Sequence, residues 1–400
     1  MNQMLRQPLT DSDIRRRSQI FSILDEIGED LDLTETQFDR ARQSYGAVGD
    51  WISESADPLL VSTQVYLQGS SALGTAVKPI GRREFDVDLI CFCAGVASGV
   101  APAILKEAVG NRLKEHATYA RIIEEKKRCW RLNYEGDFHL DLSPTIANRF
   151  CSNRGELVPD RSLQTWHPTN PRAYRTLFDE RAALKPTFVR KQIALQRDET
   201  TVEPFPFREA AKGILRRTVQ LLKRHRDIFY ENSKKEIAPI SVIITTLAMR
   251  AYEYCVRRHV FEDELDVLVE TIRMMPHFID HPTLDGQRGY AVWNETTDGE
   301  NFADNWNKDN RRVQAFNVWH GQALSDFEAL RDVVGQDRLS LNMERSFGSR
   351  VTNRVLGSHV GAVSVGRRSG ALSVAPLIGL TTSKAAASTA VPKNTFFGDQ

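Results

Sequence analysis

Two aspartates interrupt an otherwise apolar run at Phe85-Asp86-Val87-Asp88-Leu89-Ile90-Cys91-Phe92. The run has the length and residue types of a β-strand. Side chains two residues apart in a strand share a face, so both carboxylates leave one side while Phe85, Val87 and Leu89 leave the other. Like charges held this close repel, and a bound cation is the usual remedy. A fold that keeps the pair is therefore a sheet with one face buried and the other open to a cation and its ligand.

Two further pieces fit that face. Gln68-Gly69-Ser70-Ser71 follows the β-rich run VSTQVYLQ. Gly69 and Ser70 would let backbone N–H groups and a hydroxyl approach phosphates, helped by the positive end of a short helix starting near Ser71. Downstream, Asp137-Phe138-His139-Leu140-Asp141 again alternates, and it offers Asp137 or Asp141 as a third carboxylate if its strand lies beside the first. Three aspartates can hold two Mg²⁺ ions that activate a hydroxyl and stabilise a leaving phosphate in phosphoryl or nucleotidyl transfer.

Around this core the chain divides into four segments. Residues 1–58 read as two scaffold helices, capped at Thr10 or Asp11 and by the capping box Thr34-Glu35-Thr36-Gln37, with an apolar stripe at Ile14, Ile20, Phe21, Leu24 and Ile27. Residues 59–210 carry the strands and end in a Pro-rich stretch, 151–210, expected to be a long, partly ordered crossover. After Pro206 the pattern is helical nearly to residue 333, so residues 211–335 are read as a second, helical lobe. Residues 336–400, rich in Gly, Ser, Ala and Thr towards the end, are expected to be a flexible tail.

Charge and cysteines remove other classes. The 53 Lys and Arg balance 52 Asp and Glu, leaving +1, so the chain is not mainly a counter-ion for nucleic acid. Five cysteines in 400 residues do not make a disulfide framework. Cys91 and Cys93 lack the second pair that a zinc site needs, and His277 and His281 lack matching ligands. No apolar stretch is long enough to span a membrane, and no apolar core follows the basic residues at the start, so the expected compartment is the cytoplasm.

The order G-S, D-x-D, h-D-h-x-P, then a helical lobe is that of the nucleotidyltransferase superfamily that includes DNA polymerase β. More closely, the chain resembles the CD-NTases, the cyclic GMP-AMP synthase and DncV-like nucleotidyltransferases of bacterial anti-phage signalling. The resemblance runs from Gln68-Gly69-Ser70 through Lys78-Pro79 to Asp86-Val87-Asp88, then Arg131-Leu132-Asn133-Tyr134, Asp141-Leu142-Ser143-Pro144, His167-Pro168, Pro239-Ile240-Ser241 and Glu300 to Trp306. It implies an α+β fold: a polymerase-β-like core with a mixed sheet and helices, a C-terminal helical lobe, and a cleft between them. It also implies an enzyme that joins ATP, GTP or other NTPs into a cyclic di- or trinucleotide with release of pyrophosphate.

By the same resemblance Asp86, Asp88 and Asp141 are the catalytic and Mg²⁺-binding residues, with Mn²⁺ able to substitute. Asp141 is preferred to Asp137 because Leu-Ser-Pro follows it. Gln68, Gly69, Ser70, Lys223 and Ser241 would bind the nucleotide, and Tyr174 would stack on a purine. Arg217, Arg224 and Arg226 are read as surface or domain-contact residues. The implied partners are the NTP substrates, a product-sensing effector protein, and an activating or ubiquitin-like-ligation partner acting on the C-terminal tail. The missing zinc insertion and basic surface argue against activation by double-stranded DNA.

Overall fold

Two capping boxes open the chain. The Thr10 hydroxyl accepts the Asp13 N–H while the Asp13 carboxylate accepts that of Thr10, and this pair starts α1 (Asp11–Leu31); Thr34 and Gln37 do the same for α2 (Glu35–Ser53). The two helices then part. α1 buries Ile20, Phe21, Leu24, Ile27 and Leu31 in the core of the helical lobe, whereas α2 buries Ala41, Val48 and Ile52 against the sheet. The computed structural model describes residues 9–81, 84–160, 162–189, 212–233, 235–284 and 286–369, with short segments at 373–375, 379–381 and 389–390.

The sheet is mixed. It comprises β1 (Thr63–Leu67), then the short helix α3 (Gly69–Leu73), β2 (Phe85–Cys93), α4 (Pro102–Glu115), α5 (Tyr119–Ile122), β3 (Ile123–Glu125), β4 (Trp130–Tyr134) and β5 (Phe138–Ala147), with strand order β1-β2-β5-β4-β3. β2 and β5 are parallel; β1 against β2 and β4 against β5 are antiparallel. Phe85, Val87, Leu89, Phe138, Leu140 and Leu142 pack against α2 and α4, so the strand alternation leaves Asp86, Asp88, His139 and Asp141 on the opposite face.

The Pro-rich stretch is more ordered than its composition suggests. It holds β6 (Glu156–Pro159), β7 (Trp166–Thr169) and α6 (Pro171–Ala182), with Pro171 at the start of the helix, where its missing N–H costs nothing, and Asn170 capping through the Ala173 N–H. α6 buries Tyr174 and Phe178 in the helical core, so it sides with the second lobe and not with residues 59–210 as expected. The last part of the expected crossover, 190–211, lies outside the described residues.

The second lobe is built from α7 (Ile214–Phe229), α8 (Ser241–Arg258), α9 (Glu264–Met274), α10 (Asp304–Lys308) and α11 (Arg311–Asp332). It does not stop at 335. α12 (Gln336–Phe347) and α13 (Ser349–Arg368) continue it, with Met343, Phe347, Val351 and Val355 buried in its core and the Phe347 ring edge-on to Phe327. The expected tail is therefore corrected up to Arg368. Leu339, Met343, Phe347, Val351 and Val355 recur every fourth residue, a helical stripe that outweighs the small-residue composition. The terminal-ligation expectation falls on residues 391–400, which lie outside the described residues. No helix among the described residues is long and apolar enough to cross a membrane.

Candidate active site

A cleft of about 580 Å³ opens between sheet and helical lobe. Gln68, Gly69, Ser70, Asp86 and Asp88 line it from the sheet, and Lys223, Arg226 and Ser241 face them from α7 and α8. The parallel register of β2 and β5 sets Asp141 directly beside Asp88, and the antiparallel register of β5 and β4 sets Arg131 beside Asp141. Asp137, the rival carboxylate, sits at the β4–β5 turn and pairs with Arg40 at 3.2 Å. Asp141 itself does not line the cleft.

The carboxylates strain against one another. Burial, Asp141 and Asp86 push the Asp88 carboxyl up to about 6, with Arg131 and Lys223 opposing. Arg131 makes three bonds: Nε to Asp141 Oδ1 at 2.7 Å, and Nη2 to Asp141 Oδ2 at 2.8 Å and to Asp86 Oδ1 at 2.9 Å. Glu84, also in the cleft, receives the Gly136 N–H and pairs with His139.

Gly69 is required where it stands. The Gln68 N–H donates to the Asp88 carbonyl at 2.9 Å, which clamps α3 onto β2. Gly69 then takes φ +63°, and a Cβ there would lie 2.5 Å from Asp88 Oδ2. The first N–H groups of α3 have no partner within the helix, and the nearby Ser71 hydroxyl is buried without a hydrogen bond, a polar environment that suits phosphate.

Across the cleft Lys223 is almost wholly buried, its Nζ donating to the Thr75 hydroxyl at 3.0 Å and the Thr75 carbonyl at 3.1 Å. Burial and Arg226 pull it down to about 7, against Asp227 and Asp88. Ser241 begins α8, and its hydroxyl accepts from Arg226 Nη1 at 3.0 Å.

Other expectations need correction. Tyr174 lines the cleft but belongs to the helical core: it is 8% exposed, its hydroxyl is 2.8 Å from that of Thr246, and Phe302 meets its ring edge-on. It is a wall and not a free stacking platform. Of the two readings given for Arg217, surface or domain contact, the structure takes the second: it is 1% exposed and ties α7 to α1 through Asp25, with Asp32 and Gln220. Arg224 is likewise buried, donating to the Lys78 carbonyl, and Arg226 faces the cleft. Its position three residues after Lys223, on the same helix face, was the available signal.

Oxygen-only carboxylates suit a hard divalent cation. Yet among the described residues no three His, Cys, Asp or Glu side chains converge as a ready metal cage. The donor set fits such an ion; its present arrangement is organised around Arg131.

A model of the Second Messenger Oligonucleotide or Dinucleotide Synthetase domain matches residues 19–181. A c-di-GMP synthase of Roseivirga ehrenbergii is 28% identical over 389 residues, covering 96% of this chain and 98% of its own. The CD-NTase CdnG of Bradyrhizobium diazoefficiens, solved in complex with GTP, superposes with a TM-score of 0.64 at 22% identity, covering 86% of this chain and 99% of that one. Residues 19–181 thus match the synthetase domain, and the chain is similar to a cyclic dinucleotide synthase over nearly its whole length. By sequence the same B. diazoefficiens protein, a cyclic dinucleotide synthase, is 26% identical over 352 residues, 83% of this chain and 81% of its own. CdnC of E. coli MS115-1, solved with ATP, gives a TM-score of 0.59 at 12% identity, covering 82% and 97%. Both solved structures share the fold of this chain.

Proposed function

We propose that this chain is a CD-NTase that joins two molecules of GTP into the cyclic dinucleotide c-di-GMP, releasing pyrophosphate at each bond. The observation that carries the chemistry is the pair Asp86 and Asp88 beside Gly69, facing Lys223 across the cleft, with Asp141 next to Asp88 on the adjacent strand. The likeness to the R. ehrenbergii c-di-GMP synthase over nearly the whole of both chains supports the choice of guanine and of a two-membered ring.

Asp86 and Asp88 would hold Mg²⁺, or Mn²⁺ in its place, with the triphosphate, and Asp141 would orient the attacking hydroxyl and draw off its proton. The metal, when bound, supplies Lewis-acid stabilisation of the charge that develops on the transferring phosphate. Gln68, Gly69 and Ser70 cradle the triphosphate through the first turn of α3, and Lys223, Arg226 and Ser241 close on it from the helical lobe. Tyr174 and Phe302 form an apolar wall for the base.

A soluble second messenger suits a cytoplasmic signalling enzyme with a product-sensing effector, as in CBASS-type anti-phage defence. CdnC of E. coli MS115-1 has been solved with a HORMA partner, and a regulatory partner for this chain is part of the same reading. Pyrophosphate release from GTP and Mg²⁺ tests the site. Wild type should release it, and Asp86→Asn with Asp88→Asn should abolish release while leaving the circular dichroism spectrum unchanged; full activity in that variant removes the assignment.

A further inference from the structure

Arg131 already occupies two of the three carboxylates read as metal ligands. Its Nη2 bridges Asp86 Oδ1 at 2.9 Å and Asp141 Oδ2 at 2.8 Å, and its Nε completes a two-point fork on Asp141 at 2.7 Å. Held in this fork, Asp141 does not line the cleft, and no metal cage is assembled among the described residues. A fork of this kind fixes both the position and the plane of a carboxylate, which a single point charge does not.

We propose that Arg131 is the site's internal counter-ion: it holds Asp86 and Asp141 in the metal-free protein and competes with the divalent cation for them. This rests on the reading of Asp86, Asp88 and Asp141 as metal ligands. Without a guanidinium, three carboxylates on one face would repel one another, so Arg131 keeps the empty site folded. The same bonds must be given up, at least at Asp86 and at one Asp141 oxygen, before a divalent ion can take those oxygens. Arg131 thereby sets the metal concentration at which the site becomes competent, and it is a positioning residue, acting through the carboxylates.

The sign of one change separates this from a purely supportive role. A residue that only props Asp141 in place would, when removed, weaken metal binding; a competitor would strengthen it. Mn²⁺ binding to the full-length chain is measured by the electron paramagnetic resonance signal of free Mn²⁺, for wild type, Arg131→Gln, Arg131→Lys and the Asp86→Asn, Asp88→Asn double variant. Arg131→Gln should bind Mn²⁺ about tenfold more tightly than wild type, melt at a lower temperature without metal, and gain more melting temperature on adding Mn²⁺. Arg131→Lys, which keeps the charge without the fork, should fall between. Unchanged or weaker binding in Arg131→Gln overturns the proposal, and if that variant does not fold, the same comparison with Arg131→Lys decides it. Equal Mn²⁺ binding by wild type and the double variant would overturn the metal-ligand reading itself, and the proposal with it.

Discussion

Gly69→Ala is the substitution whose consequence the structure prescribes most closely. Alanine at φ +63° costs roughly 1–2 kcal/mol of backbone strain. Its Cβ would also arrive 2.5 Å from Asp88 Oδ2, about 1 Å inside an ordinary carbon–oxygen contact. Asp88 has nowhere easy to go, because Asp141 and Asp86 already crowd it. The carboxylate must shift by about that ångström, and a misplacement of that size at a reacting centre costs roughly 10²-fold in rate, or about 2.7 kcal/mol in the barrier. Gly81 provides the control: it has φ +79° and nothing within 4 Å of an added Cβ, so Gly81→Ala meets the backbone strain without the clash. Steady-state pyrophosphate release and thermal melting of both variants settle the matter. Both should melt a few degrees below wild type, and only Gly69→Ala should lose its activity. Equal activity in the two would refute the claim that Gly69 is there to admit Asp88.

Two further outcomes follow from the same geometry. Lys223, pulled down to about 7 by burial, is largely neutral above that pH in the unliganded protein and should recover its proton beside a triphosphate. Calorimetry of GTP binding in buffers of different ionisation enthalpy should therefore show proton uptake at pH 8 that fades below pH 7 and disappears in Lys223→Met. Because the folded value lies below the ordinary lysine value, the unfolded chain binds the extra proton between the two, and this group's contribution makes stability rise with pH above about 7. In α12, Phe347→Ala should cost roughly 3–5 kcal/mol in urea unfolding, as expected for a buried ring facing Phe327; an unchanged midpoint would mean that residues beyond 335 are the dispensable tail their composition suggested.

The parts of the site that run along one strand were legible from sequence. Alternation alone put Asp86 and Asp88 on one face, and the Gly-Ser turn before them needed a backbone that only glycine adopts cheaply. What depends on pairing between strands was not. Nothing in Arg131-Leu132-Asn133 says which residue will lie across from it, and so the fork onto Asp141 became visible only with the register. Composition misled twice. Proline-rich residues 151–189 fold because their prolines fall at strand edges and at a helix start, and the stripe from Leu339 to Val355 was hidden by the Gly- and Ser-rich residues that follow. Arg217 on its basic helix could be read as surface or as domain contact, and only the structure shows the buried Asp25 of α1 that receives it.

The central claim is that this cleft closes a ring of nucleotides. The most direct measurement incubates the purified chain with Mg²⁺ and all four NTPs, digests with phosphatase, and identifies the surviving species by mass. The account predicts c-di-GMP, formed from GTP alone and absent with Asp86→Asn, Asp88→Asn. A nucleotide recovered only on an added acceptor, with no phosphatase-resistant cyclic product, would contradict it.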